Sequence, residues 1–134
     1  MPLWGTCAGM IVIADRLSDR RPEPLHLMDI DVSRNAFGRQ RSSFEAPVAV
    51  PALGDPPVDA VFIRAPWIER AGPGVEVLAT HAGHGVAARE GDLMVTAFHP
   101  ELSGEPRFHE WLVARARDRR ERTAGRRQER VRAQ

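Results

Sequence analysis

The sequence predicts an α/β fold, a sheet with flanking helices, from three observations. Short segments alternate apolar and polar residues with period two, as strands do. An apolar stripe near the C-terminus recurs at helical spacing, and glycine and proline breakers divide the segments at short intervals. With 134 residues the chain makes one domain able to bury its own core.

Taken in order, Pro2-Leu3-Trp4 reads as a short strand, Gly5-Thr6-Cys7-Ala8-Gly9 as a turn, and the apolar residues as far as Ala14 as a helix. Residues 26–32 set His26, Met28, Ile30 and Val32 on one face against Leu27, Asp29 and Asp31, which predicts a strand with one buried side. Residues 34–41 read as a polar loop around Gly38, 44–50 as a strand and 51–57 as a turn-rich connection. Further strands are expected at 60–64, 75–80, 85–89 and 93–98, separated by Pro66, Gly72-Pro73-Gly74 and Gly83. After residues 103–106, Phe108, Trp111, Leu112 and Ala116 fall on one helix face that can cover a sheet. That stripe fades near Asp118, so a domain is expected over 1–118 and an Arg-rich extension, disordered or a frayed helix, over 119–134.

A composition of 43% hydrophobic and 28% charged residues, with mean hydropathy −0.35, is that of a globular chain. No apolar run approaches the roughly 18 residues of a membrane-spanning helix. All 19 basic residues are arginine, 10 of them facing 15 acids up to Ala114 and 9 facing only 3 acids beyond it. The body is therefore acidic and the tail basic. The tail has no aromatic residue on which bases could stack, and a nucleic-acid role is not expected. The single Cys7 excludes an internal disulfide. With no basic leader before the apolar start, a reducing, cytoplasmic location is expected.

Gly5-Thr6-Cys7-Ala8-Gly9 has the form of a nucleophile flanked by glycines at a tight strand-to-helix turn. A thiol at a helix start gains thiolate character from the dipole, and the Ala8 N–H would face the oxyanion of an acyl intermediate. A free cysteine buried in an apolar segment reads the same way in isolation. His99-Pro100-Glu101 adds what a thiol lacks, because an acid two residues along an extended segment projects to the same side as the imidazole and can orient it. His26, His81, His84 and His109 have no acid so placed. Cys7, His99 and Glu101 together supply the nucleophile, base and orienter of acyl transfer to sulfur.

The stretches Gly5-Thr6-Cys7-Ala8-Gly9-Met10, Leu27-Met28-Asp29-Ile30, Arg34-Asn35-Ala36-Phe37-Gly38-Arg39-Gln40, Ser43-Phe44-Glu45, Val61-Phe62-Ile63-Arg64-Ala65-Pro66 and Ala97-Phe98-His99-Pro100-Glu101-Leu102 carry a resemblance. Over residues 2–113 the chain resembles the class I glutamine amidotransferases, and within them the glutaminase-subunit family of pyridoxal 5′-phosphate synthase. The resemblance implies a flavodoxin-like sheet and hydrolysis of L-glutamine to glutamate and ammonia, with Cys7 attacking the side-chain amide, His99 moving protons, Glu101 holding His99 and water resolving a thioester. It implies that ammonia passes to a synthase subunit in a hetero-oligomer, and that neither a metal nor an organic cofactor is needed. Arg34, Ile63 and Arg64 match positions that contact glutamine; a guanidinium can grip its α-carboxylate at two points.

The chain departs from that family in starting almost on the nucleophile strand, so the family's opening βα units are expected to be missing. With them goes a Gly-Gly-Glu-Ser loop that supplies a second oxyanion donor, whose loss typically costs about 10²–10³ in rate. Either Met1 is an internal methionine taken as a start, the explanation favoured by the intact motifs, or the product is truncated and impaired. Glu90 stands where the family usually has Gln. Two other functions remain open: a non-catalytic subunit that only binds the synthase, or another cysteine amidohydrolase on the same fold.

Overall fold

The computed structural model describes residues 1–18, 23–34 and 43–133. Strand β1 (Leu3–Thr6) leads through Cys7 into a six-residue helix α1 (Ala8–Ile13), which passes directly into β2 (Ala14–Leu17). Strands β3 (Met28–Ser33), β4 (Ser43–Val48), β5 (Val58–Ile63), β6 (Trp67–Ala71), β7 (Glu76–His81), β8 (His84–Glu90) and β9 (Leu93–Thr96) follow, and the long helix α2 (Arg107–Ala133) closes the chain. Short 3₁₀ turns occupy Pro51–Leu53 and Pro100–Ser103.

The main sheet is mixed, in the order β1-β9-β8-β6-β3-β2, with β7 paired to β8 off that path. β1 runs parallel to β9 and β2 parallel to β3, while β3–β6, β6–β8, β7–β8 and β8–β9 are antiparallel. β4 and β5 form a separate antiparallel pair. In a flat sheet of that order β1 and β2 would stand roughly 24 Å apart, yet the helix joining them spans only about 9 Å. The sheet must therefore bend round α1, which touches β1, β9, β2 and β3. Met10 and Ile13 of that helix are buried in the concavity.

Period-two patterning accounts for β3, whose Met28, Ile30 and Val32 are buried, and for β5, whose Val58, Ala60 and Phe62 are buried. Val86-Ala87-Ala88 in β8 are all buried, as suits a central strand covered on both faces. Phe62, Phe98 and Phe108 meet edge to face at 5.7 and 5.6 Å, and Trp4 stacks on Phe108 at 5.8 Å, so the first turn of α2 is pinned against the sheet.

Two strands depart from expectation. β2 overlaps the expected helix only at Ala14 and otherwise falls where no element is expected, because Ala14-Asp15-Arg16-Leu17 is short and half charged; its pairing with β3 ends the helix at Ile13. β6 follows Pro66 and carries Glu69 and Arg70, which mask its pattern. Arg70 reaches across to Asp29 at 2.6 Å and Asp31 at 3.2 Å on β3, so these charges are cross-strand partners rather than loop residues. The expected strand ends also shift: 93–98 is cut to Leu93–Thr96, and 44–50 becomes Ser43–Val48. Helix α2 runs on past Asp118 to Ala133, exposed on every side from Ala116 to Arg132. Most of the expected loop at 34–41, from residue 35 onward, lies outside the described residues. No described helix is long and apolar enough to cross a membrane.

Candidate active site

Cys7 sits just past the end of β1 with φ 51° and ψ −103°, a left-handed value that a side chain other than glycine adopts only when its surroundings impose it. The restraints are visible. The Cys7 N–H donates to the Thr96 carbonyl at 2.7 Å, and the Cys7 carbonyl accepts the N–H of Met10 at 3.0 Å as the helix begins. Gly5 lets helix and strand approach closely, since a Cβ there would lie 2.7 Å from the Gly9 backbone and from Ile13 Cδ1.

Because β1 and β9 are parallel with Thr6 opposite Thr96, the segments leaving the two strands emerge at the same end of the sheet. His99 lies three residues beyond β9, and its N–H donates to the Val61 carbonyl at 2.9 Å, which ties this segment to β5. Its Nδ1 stands 2.7 Å from Glu101 Oε1. An ionised carboxylate can only accept, so Nδ1 carries the hydrogen and Nε2 is left as the basic nitrogen. Pro100 is buried and opens the 3₁₀ turn that brings Glu101 back onto the ring.

The half-buried Cys7 thiol donates to the Ile63 carbonyl at 3.6 Å. Burial pushes this thiol above its ordinary value, the Ala8 N–H partly opposes that, and the negative charge of Glu101 raises it further. The gain in thiolate character expected at the helix start is present in the Ala8 N–H, but the loss of water outweighs it. The same Ala8 N–H lies close enough to the sulfur to act on it.

Ile63 ends β5 beside the thiol, while Arg64 follows with φ 45° and its side chain exposed. Arg34 is exposed in the turn after β3, and the rest of its motif, residues 35–40, lies outside the described residues. His26 has no acid two residues along, but its ring nitrogens lie 2.9 Å from Glu23 Oε1 and 3.3 Å from Asp15 Oδ1. Among the described residues no group of three or more His, Cys, Asp or Glu is arranged to hold a metal ion.

Sequence reasoning passed over Thr96. It is fully buried, accepts from Trp4 Nε1 at 3.2 Å and donates to the Phe98 carbonyl at 3.1 Å. Its own carbonyl holds Cys7, so one residue braces both segments that carry the candidate chemistry. The available signal was a hydroxyl within the apolar run Leu93-Met94-Val95-Thr96-Ala97-Phe98.

Residues 1–118 match the model of the SNO glutamine amidotransferase family. The chain belongs to that family. A solved glutamine amidotransferase shares its fold with a TM-score of 0.77 and 43% identity, over 84% of this chain and 59% of that one. Among curated relatives, pyridoxal 5′-phosphate synthase subunit PdxT of Streptomyces avermitilis is 54% identical over 115 residues, 84% of this chain and 57% of that protein. PdxT of Herpetosiphon aurantiacus is 57% identical over 117 residues, 84% of this chain and 62% of that protein. The chain thus spans about three fifths of the length of the curated relatives it matches, at 57% and 62%. The α/β glutamine amidotransferase fold is shared with the family, while α2 beyond residue 118 lies outside the matched region.

Proposed function

We propose that this chain carries the catalytic part of a glutaminase that releases ammonia for pyridoxal 5′-phosphate synthesis, working with a synthase subunit in the cytoplasm. Cys7 attacks the side-chain amide of glutamine. Because its resting thiol is held protonated, His99 takes the proton as the carbon–sulfur bond forms, rather than meeting a ready thiolate. Glu101 fixes the ring and stabilises its cation. The imidazolium then protonates the amide nitrogen as its bond to carbon breaks, so that ammonia leaves and a thioester remains, and a water molecule activated by His99 hydrolyses the thioester to glutamate. The Ala8 N–H supports the oxyanion, and Arg34 with the Ile63-Arg64 backbone grips the amino-acid end of the substrate.

What supports this reading is that Cys7, at φ 51°, and the His99–Glu101 pair, bonded at 2.7 Å, follow the same ends of the paired parallel strands β1 and β9, with the charge of Glu101 felt at the thiol. It is tested by measuring glutamate and ammonia from glutamine with the synthase subunit present, for the chain and for Cys7→Ala. Release that disappears in Cys7→Ala supports it; equal release from both contradicts it. A second reading, a subunit that docks on the synthase without turning over, draws on the protonated, carbonyl-bonded thiol. Tight binding to the synthase with no ammonia above the Cys7→Ala background would favour that reading.

A further inference from the structure

Arg115, Arg119, Arg122 and Arg126 recur on one face of α2 and line, with Asp92 and Thr123, a polar pocket of about 120 Å³. Asp92 lies in the turn between β8 and β9, at the opposite end of β9 from His99. This lone carboxylate engages Arg115 at 3.1 Å and Arg119 at 2.9 Å. Among the described residues no carboxylate lies within ion-pair distance of Arg122 or Arg126, although Asp118, Glu121 and Glu129 share the helix. Arg115 is further held by the Gly91 carbonyl at 2.9 Å and by the Trp111 ring at 5.7 Å, and its Nε is buried with no acceptor. The wall therefore has more cationic donors than the protein satisfies, and like charges three and four residues apart on a helix repel one another.

We propose that this pocket binds a tetrahedral dianion of the phosphate class, which clamps the extension of α2 to the β8–β9 turn. A phosphate group brings nearly two negative charges and several acceptor oxygens, matching guanidinium forks that Asp92 leaves uncompensated. The volume is well below the roughly 300 Å³ at which pockets for organic ligands begin, so it takes a phosphoryl group and not a whole nucleotide. Arg119, Arg122 and Arg126 lie beyond the residues that match the family model, while Asp92 and Arg115 lie within them. The pocket is independent of the thiol chemistry at the far end of β1 and β9.

The test is calorimetric titration of the full chain with inorganic phosphate in chloride buffer of constant ionic strength. Saturable binding is expected, weakened about tenfold or more in Arg122→Gln/Arg126→Gln, which deletes two charge-assisted contacts. Arg120→Gln/Arg127→Gln removes the same charge from the neighbouring groove and is expected to shift affinity by less than about twofold. All four side chains are exposed, so both variants should keep their helical circular dichroism. Glycerol phosphate titrated in parallel separates a monoester from the free ion, the tighter binder identifying the source. No saturable heat with either, or equal loss in both variants, overturns the proposal. So does binding of a single-stranded oligonucleotide with phosphate silent, which would make the helix a nucleic-acid surface.

Discussion

Burial raises the Cys7 thiol, the Ala8 N–H only partly offsets this, and the charge of Glu101 adds to the rise. The folded state therefore binds the thiol proton more tightly than the unfolded chain does. The resulting stabilisation is present below the ordinary thiol value and is lost as pH climbs through the raised one. Alkylation of Cys7 by iodoacetamide should follow the thiolate and inflect above the ordinary thiol range, measured by mass spectrometry across a pH series; an inflection near neutrality would show an activated resting thiolate. Thr96→Val keeps the shape but leaves Trp4 Nε1 and the Phe98 carbonyl without their partner, and should cost about 1–3 kcal/mol in urea unfolding. At this scale the chemistry was legible as residue types and spacing. Thr96 was not, because its role depends on a neighbour 92 positions away in sequence.

Between elements, the tightest constraint is the packing of α1 on β1. A methyl group at Gly5 would meet the Gly9 backbone and Ile13 Cδ1 at 2.7 Å, and backbone cannot move aside as a flexible side chain can. Gly5→Ala should destabilise the fold by about 1–3 kcal/mol in chemical denaturation and change the alkylation rate of Cys7 as the turn shifts. Strands with a clean alternation, β3 and β5, could be read from sequence because burial on one face alone sets their pattern. β2 and β6 could not, since Arg16, Glu69 and Arg70 are charges tolerated on short strands whose membership is decided by partners distant in sequence.

Across the whole molecule, the sheet bends round a six-residue helix, and two pairs of strand ends meet where that helix starts and stops. This curvature cannot be seen in any local window, although the shortness of the link between β1 and β2 demands it. The rod beyond Asp118 adds little to the body: its bond to Asp92 is an ion pair with Arg119 58% exposed, which solvent screens. Ending the chain after Asp118 should lower the helical signal while shifting unfolding free energy by less than about 1 kcal/mol. The family was legible because its motifs lie within residues 1–118, whereas the phosphate pocket needs a turn and a helix far apart in sequence. The most direct measurement is covalent capture by a diazoketone analogue of glutamine, followed by mass spectrometry of the full chain and of His99→Ala. Capture on Cys7, slowed by roughly 10²–10⁴ in the variant, is the expected result; equal rates, or labelling of Cys7 by iodoacetamide but never by the analogue, would contradict it.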